Sequence, residues 1–413
     1  MSETASTANA EMDQRKAGRP KLWNKSYFYL MFISLLSGLS FSMVQTTLPK
    51  YVVSIGSSLT VAGLIAGIFS ITALIFRPLS GITVDIFNKK LLFAVSTLIM
   101  GIIVLFYGFS HNIGFLFCFR IIHGAAFAVS GTASTTLVAL YIPKERLSEG
   151  IGYFGLGQII AQAIGPSVGV FISNTYGYMP MFYFTCSLGL LAAIMIFLFR
   201  FNPKIEHKSK TERPNFKFSL NSLIAKEVLI YSVLVCMLSL SNGICSSYIQ
   251  LYGDYRHISN IGLFFTVGAV MLIFVRPFAG KIADKKGLEI IIYPSLLLTA
   301  FAIAMIGFSW TLPIICVAAA LRSIGQGSGQ PTLQAECLKA VSPARSGVAM
   351  STYFIGADVG NGLGPIIGGA IAQRTNYTVM FISISMIMIC TTALYFIFQT
   401  LRKKRTAPRT SIR

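Results

Sequence analysis

The chain has 413 residues, 54% of them hydrophobic and only 12% charged, with a formal net charge of +20. Its mean hydropathy is +0.69. Soluble domains carry about a quarter charged residues, so this composition excludes an ordinary soluble enzyme. The basic excess does not mark a nucleic-acid binder either, because it is spread through short gaps between apolar runs and not gathered on one face.

In chain order, a polar stretch at 1–26 with Arg15, Lys16, Arg19, Lys21 and Lys25 precedes the first apolar run. Tyr27 opens that run with no small-residue cleavage pattern behind it, so it reads as a retained helix and not a removable signal. Runs follow near 27–47, 59–80, 91–109, 113–140, 150–172 and 180–200, and after a polar break near 227–250, 258–280, 288–308, 312–338, 346–372 and 376–400. Each is long enough to cross a hydrocarbon core of ~30 Å. Backbone polar groups cannot be left bare in lipid, so each run must be a helix.

Basic clusters recur in every second gap: Arg77/Lys89/Lys90, Lys144/Arg146, Lys204 to Lys226, Arg276/Lys281/Lys285/Lys286, Lys339/Arg345 and the tail from Arg402. That alternation predicts both termini in the cytoplasm, in keeping with an even number of spans. The break at 201–226 reads as a cytoplasmic linker between a first bundle at 27–200 and a second at 227–400, and 401–413 as a basic cytoplasmic tail. None of the seven cysteines has a metal-type CxxC spacing; no metal site or cofactor is expected.

The two halves repeat. Arg77-Pro78-Leu79-Ser80-Gly81 and Asp85 match Arg276-Pro277-Phe278-Ala279-Gly280 and Asp284 at a shift of 199 positions (276 less 77), and Gly165-Pro166-x-x-Gly169 matches Gly364-Pro365-x-x-Gly368 at the same shift. Arg120 and Arg322 fall at corresponding places in the fourth and tenth spans. The expected fold is an all-α membrane protein of twelve transmembrane helices in two pseudo-symmetric six-helix bundles. Paired halves with a site between them near the midplane is a common secondary-transporter plan.

These residues resemble the major facilitator superfamily. Its loop between helices 2 and 3, G-x-x-x-D-[RK]-x-G-[RK]-[RK], is matched by Gly81, Asp85, Lys89 and Lys90, with Ile86 and Asn88 departing, and more fully by Gly280, Asp284, Lys285 and Gly287. Glycine permits close helix contact, and the aspartate can face the positive end of a helix in the other half. The resemblance implies a conformational latch made of Gly81, Asp85, Gly280 and Asp284. In the fifth span Gly152, Gly165, Pro166 and Gly169 resemble the antiporter motif of the family's drug/proton exporters, with Ala161 in place of one glycine, and Gly364, Pro365 and Gly368 repeat it. Leu48-Pro49-x-Tyr51, placed just after the first span, also resembles that group, although the acidic residue many such exporters carry in helix 1 is absent.

Ionisable groups inside a membrane are costly and tend to be functional. Asp358 lies about twelve residues into the eleventh span, roughly 18 Å deep at the rise of a helix. A lone carboxyl in apolar surroundings resists ionisation, as a proton carrier must, whereas a static pair with Arg322 or His123 would be the structural reading. Arg120 and His123 share a helix face, in a fragment resembling the family's R-x-x-q-G motif, and with Glu336 complete the residues proposed for proton coupling. Gln45, Gln158, Gln162, Asn242, Tyr248, Arg322 and Asn361 are predicted to line a substrate cavity.

No P-loop lysine motif and no catalytic constellation is present, so neither ATP-driven transport nor enzyme chemistry is expected. The reading is a secondary active transporter, most like proton-coupled exporters of drugs or metabolites, acting as a monomer in a bacterial inner membrane with a small-molecule substrate, protons and the bilayer as partners. An importer or facilitator on the same fold, and a non-transporting membrane sensor, are the alternatives.

Overall fold

The computed structural model describes residues 22–57, 59–110, 112–200 and 223–406. The N-terminal tail before Leu22, most of the 201–226 linker and the tail beyond 406 lie outside the described residues.

Twelve long helices account for almost all of the described chain. They are α1 (Lys25–Ser54), α2 (Leu59–Ile86), α3 (Lys89–Phe109), α4 (Ile113–Ala139), α5 (Leu147–Tyr176), α6 (Tyr178–Leu198), α7 (Leu229–Tyr255), α8 (Leu263–Lys286), α9 (Glu289–Phe308), α10 (Leu312–Lys339), α11 (Ser346–Arg374) and α12 (Tyr377–Thr406). Local chemistry sets several boundaries. Asn24, Asn88 and Asn112 each cap a helix by accepting a backbone N–H, from Tyr27 (2.8 Å), Leu91 (3.1 Å) and Gly114 (2.8 Å), which satisfies an otherwise orphaned donor. Gly177 and Gly287 end α5 and α8 at φ 95° and 87°, a backbone region that glycine enters without a side-chain penalty.

Ten of the helices among the described residues are long and apolar enough to span a membrane by length and composition alone. The exceptions, α10 and α11, carry Arg322, Gln326, Gln330, Asp358 and Asn361 within their length. Several ends differ from expectation: α2, α8 and α12 run six residues past 80, 280 and 400 (to 86, 286 and 406), and α1 continues past 47 to Ser54, so Pro49 is inside the helix and not after it. A proline there removes one ladder bond, a loss that membrane helices tolerate where neighbours or a cavity take the freed carbonyl.

Apolar packing is divided by half. One core draws on residues between Ala225 and Tyr395 with Ile82 the sole visitor; the others lie between Leu22 and Phe199, joined by Ala335. Within the halves α1 runs along α5 and α7 along α11, and between them α2 lies against α11 and α5 against α8. The chain enters at the start of α1 and leaves at the end of α12, after an even number of crossings, so both described ends and the basic loops share one face, the basic face.

Candidate functional site

At the basic face each half reaches into the other through an aspartate. Asp85, at the end of α2, accepts hydrogen bonds from the N–H groups of Gly347 (2.6 Å) and Val348 (2.9 Å), in the first turn of α11. Asp284, at the end of α8, accepts from Ser148 (3.1 Å) and Glu149 (2.9 Å), in the first turn of α5. A carboxylate on two unpaired N–H groups at a helix start gains from both the hydrogen bonds and the helix dipole. The glycines one turn before make this possible. A β-carbon at Gly280 would sit 2.5 Å from the Glu149 Cα, and one at Gly81 would sit 2.9 Å from the Val348 Cα. Lys89 supports Asp85 at 3.8 Å, standing in for the missing base at position 86. Lys339 bridges Asp284 (3.1 Å) and Glu336 (2.9 Å), so Glu336 is placed beside the second latch and away from the midplane. Buried Glu149 is held by Arg146 at 2.7 Å and by Lys281 of the other half at 3.6 Å.

Midway across, the structure corrects the picture of a lone carboxyl. Asp358 accepts from Arg77 Nε at 2.7 Å, and its partner is neither Arg322 nor His123. Arg77 also donates from Nη1 to the Ala128 carbonyl at 3.2 Å, and its guanidinium lies over Phe354 (4.4 Å) and Phe127 (5.4 Å). The arginine side chain is 3% exposed and the aspartate 25%. Arg77 is therefore not one of the loop charges among which its position in the sequence places it. It is an intramembrane cation whose carboxylate comes from the other half. Nine residues from the end of α2 put it ~14 Å from the basic face, and twelve residues into α11 put Asp358 ~18 Å from it.

The links just described lie at the basic face or midway. Farther out Gln45, Gln162 and Asn361 are exposed in the middle of their helices. Each stands four residues before an intrahelical proline, Pro49, Pro166 and Pro365 respectively. A proline frees the carbonyl four residues back, so each amide position also offers a backbone acceptor. Asn361 accepts from the Asn242 side chain at 3.1 Å, and Asn242 accepts from Arg322 at 2.7 Å. Arg322 keeps a buried Nε without a hydrogen-bond partner. Tyr248, half-buried, donates to the Pro365 carbonyl at 2.8 Å. Gln158 faces a cavity in the first half lined by Ser34, Ser37, Ser130 and Gly131 and by the apolar walls of Phe41, Phe93, Met100 and Phe127, and donates to the Ser34 carbonyl at 3.3 Å.

Arg120 and His123 are brought together, but inside the first half. Arg120 donates to the Ile65 carbonyl at 3.2 Å and lies 4.5 Å over Phe69; its Nη1 is buried with no partner. His123 shares a 2.8 Å hydrogen bond with the Tyr107 hydroxyl, and both residues are about as buried as the apolar core. The small-residue motifs are packing seams. Gly165 and Gly169 meet Ser42 and Met43 of α1, Gly364 and Gly368 meet Leu240 and Ile244 of α7, and Gly152 meets the Arg276 carbonyl of α8 across the halves. Two important residues, Arg77 and Arg276, escape motif reasoning although the repeat displays both. Their one available signal is the duplicated Arg-Pro at identical spacing.

Comparison with known proteins agrees with this architecture. Sequence similarity reaches the Multidrug resistance protein MdtG of Serratia proteamaculans (strain 568), 25% identical over 398 residues, covering 92% of this chain and 94% of that one. The same protein from Escherichia coli (strain K12 / DH10B) is 25% identical over 375 residues, covering 88% and 91%. Among solved structures, FucP in its outward conformation superposes with a TM-score of 0.75 at 15% identity, covering 92% of this chain and 99% of that one. The human organic anion transporter MFSD10 gives 0.73 at 16%, covering 90% and 100%. The sequence profile of the Major Facilitator Superfamily matches residues 30–335 and 261–412. With the duplicated six-helix halves, the two aspartate latches and that match over most of its length, the chain belongs to the Major Facilitator Superfamily of membrane transporters, and is not an enzyme.

Proposed function

We propose that this transporter exports small molecules across a bacterial inner membrane in exchange for protons, with the basic face cytoplasmic and the Arg77–Asp358 pair as its coupling element. The observation that carries the reading is that pair: an intramembrane carboxylate, partly open to solvent, that ties the halves together only while it is ionised. A proton arriving from the outer side neutralises Asp358 and releases Arg77. The central tie is then lost, and the halves are free to part at the latches formed by Asp85 and Asp284. Loss of the proton to the less acidic cytoplasm restores the carboxylate, the pair re-forms, and cargo taken up meanwhile is turned outward. Gln45, Gln158, Gln162, Asn242 and Asn361 line the path of the cargo, and the seams at Gly165 and Gly364 let the helices repack. The two bacterial relatives named for multidrug resistance support export over import.

Inside-out vesicles with an acid interior reported by a quenched dye test this. Addition of a transported compound should restore fluorescence with wild type and fail to do so with Asp358→Asn. Full dequenching by the Asp358→Asn protein would sink the coupling role. Uptake of the compound by whole cells, dependent on the protein, would establish an importer instead.

A further inference from the structure

The repeat makes Arg276 the counterpart of Arg77, yet the two arginines live in different surroundings. At Arg77 the facing helix α11 supplies Phe354, stacked on the guanidinium at 4.4 Å, and Asp358, paired at 2.7 Å. The same shift of 199 positions (276 less 77) maps those two residues onto Gly155 and Ile159 of α5. The aromatic lid is thus replaced by a residue without a side chain, and the carboxylate by an aliphatic one.

The structure bears out that mapping in space. Arg276 reaches across the halves onto α5, where a β-carbon at Gly155 would lie 3.2 Å from its Cζ and closer still to its Nη1. Its Nε is buried with no hydrogen-bond partner, and no carboxylate among the described residues lies within ion-pair distance of it. At the shift of 199, three less than the 202 (322 less 120) that relates Arg120 to Arg322, Phe127, which covers Arg77, falls at half-buried Gln326 and Gly131 at Gln330. The stacked phenylalanine and the paired carboxylate of the first arginine thus have no counterpart at the second.

One turn along α5 from Gly155, Gln158 lines a cavity shared with Ser34, Ser37, Ser130 and Gly131 and otherwise walled by Phe41, Phe93, Met100 and Phe127, and the Ser37 hydroxyl there is buried without a partner. Gly131 is in turn the wall against which Arg77 Nη1 lies, at 3.2 Å from where its β-carbon would be. Arg77 thus lies behind Gly131 of the cavity wall, and Arg276 lies against Gly155, about one turn along α5 from Gln158. A half-buried guanidinium whose Nε has no partner and which has no counter-charge carries a desolvation cost, which an anionic ligand would relieve.

We propose that the cargo is a small amphipathic organic anion, whose carboxylate or similar group occupies at Arg276 the place that Asp358 occupies at Arg77. This rests on the export reading for the physiological role, but binding itself does not depend on direction or coupling. The ligand's anionic group would complete the second of two equivalent ties between the halves, Arg276 to α5, so that a loaded transporter is clamped on both sides of its pseudo-twofold axis. Hydroxyls and amides of the cavity take the cargo's polar atoms, and Phe41 and Phe127 its apolar body.

The test uses a matched pair of probes, 1-naphthoate and uncharged 1-naphthamide, on purified full-length protein in detergent, read by thermal shift and by equilibrium binding. Wild type should be stabilised by naphthoate and bind it about ten- to a hundredfold more tightly than naphthamide, the worth of one charge-assisted hydrogen-bonded contact. Arg276→Gln should lose that preference while melting, without ligand, no lower than wild type; Arg276→Lys should keep part of it. Equal response to the two probes, or an Arg276→Gln protein that retains the preference, overturns the proposal. So does a ligand-free Arg276→Gln protein that melts well below wild type, since the arginine would then have a partner inside the protein. Loss of proton-driven transport in vesicles with naphthoate binding intact would count against the coupling reading alone.

Discussion

The central tie between the halves can be weighed by removing one atom's charge. Asp358→Asn keeps the side-chain shape but leaves Arg77, 3% exposed, without its carboxylate. Breaking a fully buried ion pair by removing one partner costs ~3–5 kcal/mol, and the 25% exposure of Asp358 lowers the expectation to ~2 kcal/mol. Arg77 keeps its bond to the Ala128 carbonyl in its own half, so the loss falls on the state closed at the basic face and not on the fold of either half. A shift of ~2 kcal/mol corresponds to about 30-fold in the ratio of closed to open populations. Spin labels at Lys144 and Lys285, exposed on the basic face in opposite halves, would report it by pulsed dipolar spectroscopy. The short-distance population should fall in the variant at neutral pH, and acidification should move wild type in the same direction while leaving the variant nearly unmoved. If the variant and wild type give the same distribution at neutral pH, the pair does no energetic work across the halves and the coupling argument built on it fails.

The latches lend themselves to the same measurement. Asp85→Asn and Asp284→Asn each leave one helix-start N–H without its acceptor and remove a charge from the dipole, a loss of ~1–3 kcal/mol apiece from the closed state. The two should add, being on separate helix pairs; a double variant no more open than either single one would show a shared tie. Gly280→Leu must push α8 off the Glu149 backbone, since even its β-carbon would come to 2.5 Å, so vesicle transport should disappear while the protein still elutes as a folded species. His123→Gln should lower the melting temperature through loss of the 2.8 Å bond to Tyr107, by the ~1–2 kcal/mol typical of one buried hydrogen bond. It should leave the pH profile of dye dequenching in place; an altered profile would return the histidine to the proton path.

By itself the sequence determines everything that the bilayer enforces one segment at a time. Lipid leaves no choice but a helix for each apolar run, so the spans and their order are legible, with the main error at α1, which continues through Pro49 to Ser54. The Gly-x-x-x-Asp pattern is legible for a related reason: glycine at 81 and 280 and aspartate at 85 and 284 serve a local need, close approach and a carboxylate one turn later. What the tertiary structure alone decides is which charges meet. Arg77 and Arg276 are identical in the repeat, and both look like the basic ends of helices. Yet one faces Phe354 and Asp358 and the other faces Gly155 beside Ile159. The halves contact each other through non-equivalent helices, α2 on α11 and α8 on α5, so the partner of each arginine belongs to the opposite repeat. Spacing within a chain carries side-chain periodicity along one helix; it does not carry the register between two helices separated by most of the protein's length.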